Sequence, residues 1–101
     1  MHMKKGCKLY VRIDHKNSEK TLSEQILQEH LSYVQKIANE RYFIGGGFTN
    51  SKKTGGMVIM EAKDLEEANE ISQKDPIVQN GFYRSEIFEW ELAVLSNDIC
   101  E

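Results

Sequence analysis

The segment Met57-Val58-Ile59-Met60-Glu61-Ala62 is apolar at every position but Glu61. Successive side chains of a strand point to opposite faces, so this run places apolar groups on both. A strand of that kind has to be covered on both sides. In a chain of 101 residues, one layer of helices covers one face only. The other face is therefore expected to pack on a second copy of the chain.

The neighbouring segments supply the rest of a sheet. Cys7 to Asp14 alternates in the manner of a half-buried strand, with Cys7, Leu9, Val11 and Ile13 on one face and Tyr10 and Arg12 on the other. Residues 42–49 read as a second strand, interrupted by Gly45-Gly46-Gly47, which is expected to mark a bulge or a close approach by another group. Residues 50–56 make the hairpin turn into the two-faced strand. Residues 82–95 form a long last strand with Phe88, Trp90 and Leu92 on one face and Ile87 and Ala93 on the other.

Two amphipathic helices lie between the strands. Thr21 with Glu24 three residues on is a capping-box pattern, and Leu22, Ile26, Leu27, Leu31, Val34, Ile37 and Ala38 then share one side of a helical wheel. Asp64 caps the second helix with Glu67 at the box position, and Leu65, Ala68, Ile71 and Ser72 form its inner stripe. Pro76, the only proline, stops that helix, and residues 77–81 connect to the last strand. The order β-α-β-β-α-β predicts a ferredoxin-like α+β fold, a four-stranded antiparallel sheet with both helices on one face. The chain reads as one domain over residues 1–101, with its core over about 7–95 and a polar C-terminal tail.

Composition narrows the function classes. A formal net charge of -3 leaves no basic footprint for nucleic acid. No apolar run approaches the roughly 20 residues of a membrane span. Met1-His2-Met3-Lys4-Lys5 has no apolar stretch behind it and is not expected to act as a secretory signal. Cys7 and Cys100 stand near opposite ends without metal-motif spacing, which favours reduced thiols in a cytoplasmic protein. His2, His15 and His30 are not spaced as a metal site, because the first two fall in polar segments.

Two titratable residues are placed inward by pattern. At about 100° per residue, His30 falls within about 20° of the middle of the first helix's apolar arc. Asp75, held at a corner by Pro76, projects near the apolar face of the second helix. Both helices cover the same face, so the two side chains can converge. An imidazole oriented by a carboxylate is a usable general base near neutral pH. The bland alternative makes His30 a core histidine bonded to a backbone carbonyl and Asp75 a turn former. Likewise, Gly46 and Gly47 either form a bulge or bare the backbone to a ligand pocket. Trp90 is either a core or dimer contact or a ligand platform, and Pro76 is the remaining candidate for the pocket.

Taken together, Glu29-His30-Leu31 with Tyr33, Phe43-Ile44-Gly45-Gly46-Gly47, Glu61-Ala62 with Glu66-Glu67-Ala68, Asp75-Pro76-Ile77-Val78 with Gly81, and Glu86-Ile87 with Trp90 resemble the YciI-like (YCII-related) proteins of the dimeric α/β-barrel superfamily. The resemblance covers about residues 9–94. It implies a homodimer whose sheets face each other, with a cleft in each protomer holding the family's His and Asp at His30 and Asp75. Most members have no assigned reaction. One relative is a dehydrochlorinase acting on a chlorinated hydroxyquinol without a metal or organic cofactor. The chain departs from many members at Leu27, where they carry Arg, and at Gly46-Gly47, where they carry Gly-Pro. The expected function is cofactor-free lyase- or isomerase-type acid–base chemistry on a small cyclic or phenolic molecule. The alternatives are a non-catalytic binding or sensing module in the same cleft and, with no residue signature, oxygenase chemistry.

Overall fold

A computed structural model describes residues 7–17 and 19–95. The elements run β1 (Lys8–Lys16), α1 (Glu24–Glu40), β2 (Phe43–Gly47), β3 (Thr54–Met60), α2 (Leu65–Gln73), α3 (Pro76–Gln79) and β4 (Tyr83–Glu91). The strands pair antiparallel in the order β2-β3-β1-β4, the ferredoxin-like arrangement.

One face of the sheet carries the core. Tyr10, Val58 and Met60 from the strands meet Ile37 of α1 and Ala68 and Ile71 of α2, with Phe43 and Ile87 packed against them. Cross-strand partners point to the same side, so Arg12 and Asp14, two and four residues beyond Tyr10, also lie under the helices. Both are buried. The opposite face holds Val11, Ile13 and Ile59 with Ile44, Met57, Phe88 and Trp90, and the last four are exposed. β3 is thus two-faced as read from its sequence, and among the described residues its outer side carries no cover.

Several boundaries differ from the sequence reading, each for a local reason. Helix α1 is capped by Ser23, not Thr21: the Ser23 hydroxyl accepts the Ile26 N–H at 3.2 Å, which starts the helix later. Asp64 does cap α2, accepting the Glu67 N–H at 2.8 Å, but the Glu67 carboxylate reaches back to the Lys63 N–H at 2.7 Å. The segment after Asp75 is a short helix rather than a plain turn. Pro76 fills its first position, where a missing N–H costs nothing, and Asp75 caps it. The glycines of β2 form no bulge; Gly45, Gly46 and Gly47 pair in unbroken register with Val58, Met57 and Gly56. The bulge is on the other edge of β3, where the pairing steps from Asp14↔Gly56 to His15↔Thr54 and leaves Gly55 unpaired with β1. Strand β4 ends at Glu91, although Leu92 still donates to the Cys7 carbonyl at 2.9 Å. The polar tail, Cys100, His2 and the N-terminal lysines Lys4 and Lys5 lie outside the described residues.

Candidate active site

The outer half of the α1 stripe does not close on the sheet. Leu27 and Leu31 remain 37% and 47% exposed, and with His30 they wall a cavity of about 300 Å³. Its other wall is the glycine-rich end of β2 and β3, where missing side chains leave the space open. Asp14 and Val58 from the sheet and Tyr83 from the start of β4 complete it. Tyr83 sits against the bulge so closely that a Cβ on Gly55 would overlap its ring.

Behind the cavity lies a chain of charged groups. His30 Nδ1 stands 2.8 and 2.9 Å from the two carboxylate oxygens of Asp75. Asp75 has no solvent exposure, and its remaining capacity is taken by Arg12 Nη2 at 2.9 Å and the Ile77 N–H at 3.1 Å. Arg12, 1% exposed, donates its Nε to Asp14 Oδ1 at 2.8 Å. Burial alone pulls the Arg12 guanidinium down, but hydrogen bonding and the charges of Asp14 and Asp75 outweigh it, and the group is raised above its ordinary value. It is a fixed cation.

That cation decides the histidine's tautomer. Arg12 and the Ile77 N–H are obligatory donors, so Asp75 is an acceptor here. Nδ1 therefore carries the hydrogen, and in the neutral ring Nε2 carries the lone pair. Among the described residues Nε2 has no hydrogen-bond partner, and His30 lines the cavity. Tyr33 buttresses the same corner: its hydroxyl donates to the Ile71 carbonyl at 2.7 Å, near the C-terminus of α2. Burial and the Asp75 charge push its phenol up.

The other candidates from the sequence distribute as follows. Gly46 and Gly47 both line the cavity. Pro76 does not; it borders a shallow groove on the outside of α1 with Gln25, Glu29 and Tyr33. Trp90 pairs with Leu9 on the face away from the helices and takes no part in the cavity. His15 bonds Glu86 at 3.0 Å, and among the described residues no cluster of His, Cys, Asp or Glu is arranged to hold a metal ion. Arg12 and Asp14 escaped the sequence reading. The signal for them was the spacing Tyr10-x-Arg12-x-Asp14. It sets two charges on the face of an aromatic residue that belongs in the core.

The profile of the YCII-related domain matches residues 9–91. The chain belongs to the YCII-related family. It is 36% identical over 75 residues to the uncharacterized protein YjpA of Bacillus subtilis, a match covering 69% of this chain and 86% of YjpA. Among solved structures it is similar to 5-chloro-2-hydroxyhydroquinone dehydrochlorinase (TftG) from Burkholderia phenoliruptrix AC1100, in complex with 2,5-dihydroxybenzoquinone. That likeness has a TM-score of 0.60 at 18% identity and covers 82% of this chain and 93% of the other. The YCII-related fold is thus shared with the dehydrochlorinase. Among the described residues, no helix is long and apolar enough to cross a membrane.

Proposed function

We propose that this cavity is the active site of a small-molecule enzyme working by acid–base chemistry, with His30 transferring the proton and Asp75 orienting it. The observation that carries the reading is the hydrogen bond from His30 Nδ1 to a buried carboxylate already fixed by Arg12. An imidazole held so presents Nε2 to whatever enters the cavity, as a general base must. When Nε2 accepts a proton, the charge that develops on the ring falls beside Asp75. Arg12 acts through Asp75 and is a positioning residue.

The cavity's volume of about 300 Å³ lies at the small end of ligand sites and suits a single ring. The structural relative acts on a chlorinated, hydroxylated ring, which supports the same class of ligand by analogy of fold. Loss of HCl is acid–base chemistry: a base takes the proton, the C–Cl bond breaks, and chloride leaves with the electron pair. The side chains named supply the proton transfer, so the reading needs neither a metal nor an organic cofactor. The enzyme works as a homodimer joined through the open sheet face, where Ile44, Met57, Phe88 and Trp90 are exposed. A cytoplasmic setting suits its two cysteines as free thiols.

The test uses 5-chloro-2-hydroxyhydroquinone as probe and follows chloride release, with exchange of ring hydrogens in D₂O as a second readout. His30→Gln is expected to lose about 10²-fold or more in rate while still binding the probe. A bound probe that reacts no faster than without protein, or a His30→Gln protein as active as the wild type, would overturn the reading. A binding or sensing module would lose affinity in His30→Gln and have no turnover to lose.

A further inference from the structure

We infer that Asp14 is the cavity's ligand-selecting group: its free carboxylate oxygen accepts a hydrogen bond from a hydroxyl or amino group, and its charge excludes carboxylate ligands. This rests on the cavity being the ligand site, and it names the class of molecule that site takes.

Asp14 is only 5% exposed, yet it lines the cavity. Its Oδ1 is taken by Arg12 Nε, while Oδ2 has no hydrogen-bond partner among the described residues. Nor is Oδ2 sealed off from solvent, since the sealed, unpartnered side-chain atoms are Arg41 Nε and Ser85 Oγ. A carboxylate oxygen that is neither bonded nor sealed, on a residue this buried, opens onto the cavity. An acceptor in that position asks for a donor.

The charges around it point the same way. Arg12 is the one cation in the cluster, and it faces two carboxylates, Asp14 and Asp75. With His30 neutral, the group carries one net negative charge. No lysine or arginine side chain lines the cavity among the described residues, and the remaining walls are apolar side chains, glycine backbone and Tyr83. A ligand carboxylate would enter a low-dielectric space against that charge with no cation free to meet it. An uncharged ring bearing a hydroxyl, or a cationic amine, meets Asp14 Oδ2 with a charge-assisted hydrogen bond. Nε2 of His30 opens onto the same space, so a ring with adjacent donors can address both.

The experiment is an NMR titration of the ¹⁵N-labelled protein with catechol, anisole and benzoate, read at the Gly45, Gly46 and Gly47 amides and the His30 ring. Catechol is expected to bind about tenfold or more tightly than anisole, which has no donor, and than benzoate, which has the wrong charge. Asp14→Asn should weaken catechol and narrow its margin over benzoate. Should that variant fail to fold for want of Arg12's partner, Leu27→Arg places a cation on the cavity wall and should raise benzoate affinity about tenfold. Benzoate binding as tightly as catechol, an unchanged margin in a folded variant, or no shift with any of the three probes would overturn the inference. All readouts are binding alone. If the margin persists in a protein without turnover, the acid–base reading fails and this one stands.

Discussion

Arg12 and Asp75 are 63 residues apart in sequence and 2.9 Å apart in the fold, Nη2 to Oδ2, with side chains 1% and 0% exposed. An ion pair buried this deeply contributes little by forming, because desolvation cancels much of the attraction. Its removal by halves is costly. Arg12→Met leaves Asp14 and Asp75 buried without their cation and is expected to destabilise the fold by about 3–5 kcal/mol. That is a large part of the roughly 5–15 kcal/mol available to a domain of this size. Arg12→Lys should fall between, since one ammonium cannot reproduce bonds made from two separate guanidinium nitrogens. Denaturant unfolding of the three proteins checks the order.

Asp75→Asn separates orientation from charge. The amide is close in shape, but its NH₂ competes with Arg12 and the Ile77 N–H for the same space, and the histidine loses its reason to keep the hydrogen on Nδ1. If His30 is the proton-transferring group, kcat should fall about 10²–10⁴-fold with a much smaller change in KM. The ¹⁵N spectrum of the His30 ring supplies an independent readout: Nδ1 protonated in the neutral wild type, a mixed or reversed tautomer in the variant.

How much of this site could be read in advance depended on which kind of pattern marked each residue. His30 interrupts an apolar helical stripe and Asp75 precedes the only proline, so both stood out against a regular background. Arg12 sits at a polar position of an alternating strand, where arginine is ordinary. Its burial becomes visible only once the helices are known to cover the Tyr10 side of the sheet. Periodicity tells that a strand has two faces, not which one is covered. The same limit put Trp90 among the pocket candidates although it faces away. The glycines were legible as unusual but not as to where the irregularity lies, because the extra residue, Gly55, belongs to the partner strand's edge.

Gly55 and Gly46 should respond oppositely to a methyl group. A Cβ on Gly55 would overlap the Tyr83 ring, so Gly55→Ala must push that ring out of the cavity wall or shift the bulge. We expect a loss of about 1–3 kcal/mol and altered ligand binding. A Cβ on Gly46 meets nothing within 4 Å, and Gly46→Ala should leave stability within about 0.5 kcal/mol or improve it. Thermal melts of the two variants make the comparison.

Tyr33 gives the fold an alkaline limit. Its phenol is raised by burial and by the Asp75 charge, so the folded state holds the proton more tightly than the unfolded state. The stability this contributes is complete below the unfolded value of about 10 and is lost as pH rises through the raised folded value. Tyr33→Phe deletes the 2.7 Å bond to the Ile71 carbonyl, at a cost of about 1 kcal/mol near neutral pH. It should also flatten the decline of stability above pH ~10. Urea midpoints measured across the alkaline range distinguish the two effects.

The open sheet face sets the last expectation. Ile44, Met57, Phe88 and Trp90 are all at least 38% exposed, and Val11, Ile13 and Ile59 lie among them on the same side. Phe88 lies on the edge strand β4, opposite Val11 on the central strand β1. If a second copy covers this face, Phe88→Lys buries an unpaired ammonium in the interface, and the dimer should dissociate at micromolar concentration. The cavity is on the other side of the sheet, so the core packing around Arg12 and Asp75 should survive the substitution. Sedimentation equilibrium of the wild type and Phe88→Lys decides it: a wild type already monomeric at that concentration, or a variant that stays dimeric, removes this face as the interface.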